Sequence, residues 1–303
     1  MELNNIDLSF ELNLKIKEKI RQTEINSTLI GGDSSVPFVC ENQNKTKPLI
    51  AIEFLFFEDN SYPEILKNIW NCKTSLEYLK KANSSNADVI SIKFNATKEN
   101  LEQQIAEIKT FLDKLHLMTN KTIILRGANN SEIDKILIPI LAKYKSKEVI
   151  IAFAEEDTFE TIVPDVIKNN HILVLRTPID INIAKELNIL TIDKGLAPEK
   201  ILIDPDMGGL GYGIDYGYSI IEKIRQAAFD GDTMLNMPII AFIGEETYRA
   251  KEAKANTFSE DWGDYQQRAT MWEISGATAM LCAGANIVVL WNPESVKTLK
   301  GIL

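Results

Sequence analysis

The segment most able to do chemistry is Asp204-Pro205-Asp206-Met207-Gly208-Gly209-Leu210-Gly211-Tyr212-Gly213, where four glycines fall within six residues. Without Cβ atoms, such a loop brings its backbone close to a flat or anionic ligand. Asp204 closes an apolar run and is expected to point toward the same ligand. Asp206, Gly208, Gly209, Gly211 and Tyr212 complete the candidate binding loop. The plain alternative is a glycine-rich turn that only starts the next helix. No Gly-Lys-Ser/Thr follows, so it is not a P-loop.

Other candidates follow other apolar runs. Arg176 ends Ile172–Leu175 and suits an anionic group or the propionamide-rich edge of a ligand; its alternative is an ion pair with a neighbouring strand-end carboxylate. Asn129, in Arg126-Gly-Ala-Asn-Asn130, can hydrogen-bond a ligand, although turn asparagines commonly bond their own backbone. Glu245 and Glu246 are a carboxylate pair suited to acid–base work or to a helix N-terminus. Glu53 sits inside an apolar strand, where a charge must be paired or face a polar mouth. Asp180 reads as a helix cap.

The chain has two histidines, His116 and His171, and three cysteines, Cys40, Cys72 and Cys282. Three cysteines exclude a four-cysteine iron–sulfur cluster or zinc site built from this chain alone. Their wide spacing is no disulfide framework and fits a reducing compartment. Cys40 and Cys72 read as plain small residues and Cys282 as core. His116 is expected in a helix-to-strand connection, and His171 at the end of the fold away from the candidate loop. Neither is a good ligand candidate.

These residues are positioned by alternating elements. Strands are expected at Leu49–Phe56, Val89–Phe94, Thr122–Leu125, Val149–Phe153, Ile172–Leu175, Ile201–Ile203, Ile239–Phe242 and Ile287–Leu290, as near-continuous apolar runs of the kind buried on both faces of a parallel sheet. Helical periodicity appears after Asp180, over Tyr218–Phe229, and over Gln266–Ala283 with a stop at Gly284. Eight strands alternating with helices predict an α/β fold of the (β/α)8 TIM-barrel type, with the site at the strand C-termini. A doubly wound sheet competes, but Phe57-Glu-Asp-Asn60 is no glycine-rich first turn. Residues 1–26 read as an arm with one helix, roughly Phe10–Gln22, and 27–303 as a single barrel. Ser27–Asn44 reads as a tight turn or short hairpin before it.

The 303 residues carry 33 Lys and Arg against 43 Asp and Glu, a net charge of −10, which argues against nucleic acid as a partner. No signal peptide or apolar run of membrane-spanning length is seen, so the expected location is the cytoplasm.

Several blocks resemble a known family. They are Leu175-Arg-Thr-Pro-Ile-Asp-Ile-Asn-Ile-Ala-Lys-Glu-Leu187, the Asp204–Gly213 loop, Asp230-Gly-Asp-Thr-Met-Leu-Asn-Met-Pro238, Tyr248-Arg-Ala-Lys-Glu-Ala253, Trp262-Gly263, Met271-Trp-Glu273, Ala283-Gly-Ala285 and Gly31-Gly-Asp-Ser-Ser-Val-Pro-Phe38. Together they resemble the small (delta) subunit of the corrinoid/iron–sulfur protein of the CO dehydrogenase/acetyl-CoA synthase (acetyl-CoA decarbonylase/synthase) system. The resemblance covers about residues 27–303 and is most specific from 172 onward.

The resemblance implies a (β/α)8 barrel paired with a large (gamma) subunit that carries the iron–sulfur cluster. A corrinoid (cobalamin) would lie at the interface, against this barrel's mouth. The complex would carry a methyl group from a methyl-tetrahydropterin to acetyl-CoA synthase, as in the Wood–Ljungdahl pathway, meeting a pterin methyltransferase and the synthase transiently. It implies a binding subunit without catalysis of its own. The Asp204-Pro205 strand end also resembles that of pterin-binding barrels, so a pterin-dependent methyltransferase acting on a corrinoid protein, with Asp204 and Asn129 on the pterin, is the competing reading. A third, a divergent relative that has lost the corrinoid, is suggested by the unusually apolar Phe54-Leu-Phe-Phe57 and by the turns after strands three and four.

Overall fold

The apolar runs form the predicted strands because in-register neighbours bury them on both faces. The protein is described by a computed structural model covering residues 18–34, 46–57, 62–208 and 213–303. A hairpin comes first, β1 (Gln22–Ile25) and β2 (Thr28–Gly31). The barrel strands follow: β3 (Leu49–Leu55), β4 (Val89–Lys93), β5 (Thr122–Arg126), β6 (Ile150–Ala154), β7 (Ile172–Arg176), β8 (Ile201–Asp204), β9 (Ile240–Phe242) and β10 (Ile287–Leu290). Their order is β8-β7-β6-β5-β4-β3-β10-β9 with parallel neighbours. A single parallel bridge, Ile203 to Ile239, with Ile203 N–H donating to Pro238 O at 2.9 Å, joins the two outer strands. The sheet is thus a nearly closed (β/α)8 TIM barrel, as the sequence predicts.

The helices are α1 (Glu64–Trp70), α2 (Ser75–Ser84), α3 (Leu101–Met118), α4 (Ser131–Leu141), α5 (Phe159–Lys168), α6 (Ile181–Asp193), α7 (Ile214–Phe229), α8 (Ile243–Thr247), α9 (Lys251–Lys254), α10 (Tyr265–Ala283) and α11 (Pro293–Ile302). Asp180 caps α6 as read, accepting from Asn182 N–H and Ile183 N–H. Gly284 ends α10 at φ 116, a left-handed position that suits glycine. Among the described residues no helix is long and apolar enough to cross a membrane.

Alternation along the strands makes two cores. Ala51, Val89, Ile124, Ile172, Leu202 and Ile287 belong to the inner one, while Ile52, Phe54, Ile92, Leu125 and Leu173 belong to the outer layer beneath the helices. At roughly 1.5–3 kcal/mol for each fully buried large aliphatic side chain, these layers dominate the favourable side of folding. Phe54 stacks on Tyr78 and meets Trp70 edge-on, and Phe56 packs on Phe94 and Phe111. The apolar end of the first barrel strand therefore serves helix packing rather than the ligand mouth.

Three expectations change. Gln22 opens strand β1 instead of closing a helix, and residues 18–21 are not helical; residues 10–17 of the expected helix, like residues 35–45 and Cys40, lie outside the described residues. The hairpin spans Gln22–Gly31, because Asn26 and Ser27 both take positive φ (47 and 66) in the two-residue turn that matches strand twist. It plugs the barrel floor, placing Ile25 and Ile30 in the inner core. His116 lies within α3, not in a connection.

Candidate functional site

Each charge that ends an apolar strand would strand itself in the core unless it met a partner at the barrel mouth. Five do so: Glu53 on β3, Lys93 on β4, Arg126 on β5, Arg176 on β7 and Asp204 on β8, all buried. Glu245, in the first turn after β9, joins them. Arg126 is the centre. Its Nη1 donates to Glu53 Oε2 at 2.7 Å and its Nη2 to Glu245 Oε2 at 2.5 Å. Glu53 also accepts from Ser91 Oγ and from Trp291 Nε1, both at 2.7 Å. Glu245 Oε1 meets Lys93 Nζ and Arg249 Nη2, both at 2.8 Å.

A second pair stands beside this cluster. Arg176 Nε donates to Asp204 Oδ2 at 2.7 Å, so the ion-pair reading of Arg176 is correct. Asn129 links the two groups: its Oδ1 accepts from Arg176 Nη1 at 3.2 Å, and its Nδ2 donates to Glu245 Oε1 at 3.3 Å. Its side chain therefore bonds strand-end charges and not its own turn. Asp204 Oδ1 accepts from Asp206 N–H at 3.1 Å, leaving both Asp204 oxygens engaged within the protein. Asp206 holds a positive φ of 60, and its Oδ1 accepts from Gly208 N–H at 3.0 Å. Gly209, Gly211 and Tyr212 lie outside the described residues.

Beneath the charges are two rings. Phe153 and Phe242 meet at 6.2 Å between centroids, nearly edge-on. A register shift in β6 between Ala152 and Ala154 turns Phe153 inward together with Ala152.

The electrostatics follow from this layering. Burial by itself would raise Glu245, but Arg126, Lys93 and Arg249 overcome it and hold its carboxyl well below the usual range. Burial likewise opposes charge on Arg126, yet the facing Glu53, Glu245 and Asp204 push its pKa above the ordinary guanidinium value. Burial lowers the Lys93 ammonium, with Arg126 adding to the effect. Burial raises Asp204, and the nearby Asp206 adds to it against Arg176. Toward solvent, Glu155 and Glu246 are also raised, chiefly by burial. The mouth is thus an inner lattice of matched charges under an outer rim of hydrogen-bond acceptors.

Reading for a loop ligand undervalued Lys93, Arg126, Glu155 and Trp291, and left open whether Glu245 was a plain helix residue. The signal for most of them was the one already applied to Glu53: a charge on an apolar strand needs a partner. His171 lies at the end of the barrel away from the candidate loop, as expected, buried with its Nε2 2.8 Å from Tyr144 O. Among the described residues, no group of three or more His, Cys, Asp or Glu could hold a metal ion.

A barrel of eight parallel strands is the fold of dihydropteroate synthase. The Xanthomonas albilineans enzyme with 4-aminobenzoic acid matches at a TM-score of 0.58 and 11% identity, over 93% of this chain and 98% of that one. The Thermus thermophilus enzyme matches at 0.55 and 9%, over 93% and 98%. At such identities the likeness shows the fold alone. The chain belongs to the CO dehydrogenase/acetyl-CoA synthase delta subunit family, whose model matches residues 20–294. Among similar proteins are the acetyl-CoA decarbonylase/synthase complex subunit delta of Methanocaldococcus jannaschii (25% identical, over 90% of this chain and 68% of the relative) and subunit delta 1 of Methanosarcina thermophila (26%, 90% and 65%). That of Archaeoglobus fulgidus is 30% identical over 71% of this chain and 49% of its own length. The chain thus spans about half to two thirds of the length of these relatives.

Proposed function

We propose that this chain is the corrinoid-capping subunit of a heterodimeric corrinoid/iron–sulfur methyl carrier, working with a large (gamma) subunit to pass a methyl group from a methyl-tetrahydropterin to acetyl-CoA synthase in the cytoplasm. Family membership supports the assembly. The observation that carries the capping role is the mouth itself: Lys93, Arg126 and Arg176 are each bonded to a carboxylate of this chain, and His171 lies on the far side of the barrel. Such a surface, its cations already neutralised from within the chain, is suited to bind and desolvate a neutral ring.

The residues fit a corrinoid, which is a flat macrocycle edged with carboxamide arms. Glu155, Asp206, Glu246 and Asn129 offer acceptors for amide N–H groups, over a layer of charges already paired within the chain. When bound, the corrinoid supplies the cobalt that holds the methyl group. This chain's residues would orient the ring, exclude water from one face and set access to it. The iron–sulfur cluster is assigned to the large subunit.

The test is co-expression with the large subunit, followed by a visible spectrum of the purified pair and of each chain. Corrinoid absorbance retained in the pair, absent from the isolated chain and weakened by Asp206→Lys supports the proposal. Failure to associate, or a spectrum indifferent to this chain, overturns it. The fold keeps a pterin-dependent methyltransferase as the second reading. Micromolar binding of methyltetrahydrofolate by the isolated chain would establish that reading instead.

A further inference from the structure

Beside the mouth, a groove of about 780 Å³ runs between the start of α7 and the segment from α8 to α10. It is walled by Ile214, Trp262, Met271 and Trp272, which are 40–51% exposed. Helix α10 turns Ala269, Glu273, Gly276, Ala277 and Met280 inward, so Met271 and Trp272 are left over from its packing. Two tryptophans and a methionine gathered in one concavity have the composition of a protein-recognition hot spot.

Acids outnumber cations in the lining of this apolar strip, with Arg249 paired to Glu246 and Lys251 and Lys254 exposed on the neighbouring α9. Glu246, Glu252 and Asp264 line the groove against a single cation, Arg268. That guanidinium is already committed: it donates to Glu252 O at 2.8 Å, Ala255 O at 2.6 Å and Gly263 O at 3.4 Å, and lies against Phe258 and Tyr265. These bonds also fix the groove wall before anything binds. Exposed Glu260 and Asp261 beside Trp262 deepen the negative field.

We propose that this groove receives an amphipathic helical segment of a partner protein that offers aliphatic side chains flanked by lysine or arginine. Charge complementarity selects this occupant. A second copy would bring the same acidic strip and a net charge of −10 against itself, and an anionic lipid surface would be repelled. The proposal stands whether or not a corrinoid lies at the mouth.

The experiment titrates the full chain with a synthetic leucine/lysine amphipathic helix and with its leucine/glutamate counterpart, by calorimetry and tryptophan emission. The leucine/lysine peptide is expected to bind, to shift the emission to the blue, and to weaken as salt is raised. Trp272→Ala and Glu252→Lys should each reduce its affinity by about tenfold or more with unchanged thermal melting. No binding at about 1 mM, equal binding of the glutamate peptide, affinity indifferent to both substitutions, or self-association of the chain through this face each overturns the proposal.

Discussion

The guanidinium carbon of Arg176 lies 3.4 Å over the centre of the Phe153 ring, and Arg126 sits 4.3 Å from the centre of Phe242. Two cations thus rest on two ring faces that separate a dry aliphatic barrel from a polar mouth. Aromatic faces attract cations, but by much less than burying a bare charge costs. The carboxylates opposite them are therefore essential to the arrangement. Four predictions follow from this layering and from the elements that support it.

Asp204→Asn leaves Arg176 charged, buried and without its counter-ion. Breaking a buried pair by removing one partner costs about 3–5 kcal/mol. Asp206→Asn, on the half-buried rim, should cost under about 1 kcal/mol. Denaturant titration of both variants checks the contrast.

Glu245 and Glu246 are adjacent in sequence and unequal in structure. Glu245→Gln removes a carboxylate shared by Lys93, Arg126 and Arg249, whereas Glu246 pairs, among the described residues, with Arg249 alone, which is 54% exposed. Glu245→Gln is expected to lower stability by several kcal/mol and Glu246→Gln by about 1 or less. Because the folded pKa of Glu245 is depressed, its contribution is full above the unfolded carboxylate value of about 4.3 and declines from there until pH has fallen through the lower folded value. The stability gap between wild type and Glu245→Gln should therefore narrow on acidification below about pH 4.

Glu273 runs the other way. It is fully buried, and burial pushes its pKa up to about 7, against the opposing hydrogen bonds from Ser295 and from the backbone N–H groups of Trp291 and Asn292. A carboxyl whose folded pKa is raised binds its proton more tightly in the folded chain. Stability is then lost as pH rises from the unfolded value to about 7, by at most roughly 4 kcal/mol. Glu273→Gln should remove that slope, so its melting temperature gains on wild type between about pH 5 and 8.

Gly31 holds the floor hairpin against the barrel at φ 77. A Cβ there would collide with the carbonyl oxygen of Arg21 and stand 2.8 Å from Pro238 Cγ. Gly31→Ala should therefore destabilise by about 1–3 kcal/mol, while Gly301→Ala, with nothing within 4 Å of its Cβ, changes little. Thermal melts of the two variants decide it.

Much of this was legible before the structure. Eight Ile/Val/Leu runs with helices between them leave few ways to bury both faces of each strand, and the barrel is the way the chain takes. Asp204, Arg176 and Asn129 stood out as polar residues just past such runs, and the structure brings all three together. The hairpin boundaries were less legible. A plug of two short strands is stabilised by contacts at the barrel floor, such as Thr28 Oγ1 with Thr122 Oγ1 at 2.9 Å across 94 residues of sequence, and not by its own periodicity.

Sequence by itself determined the layers, since strand alternation decides which side chains face inward and apolarity decides that they stay dry. It also determined that each strand-end charge must find a partner. Only the tertiary structure decided which partner. Barrel closure sets Glu245, from the far part of the chain, 2.5 Å from Arg126, and a register shift in β6 turns Phe153 under Arg176 where strict alternation would send it outward. Pairing of this kind depends on distances across the mouth, and these exist only once the strands have closed around it.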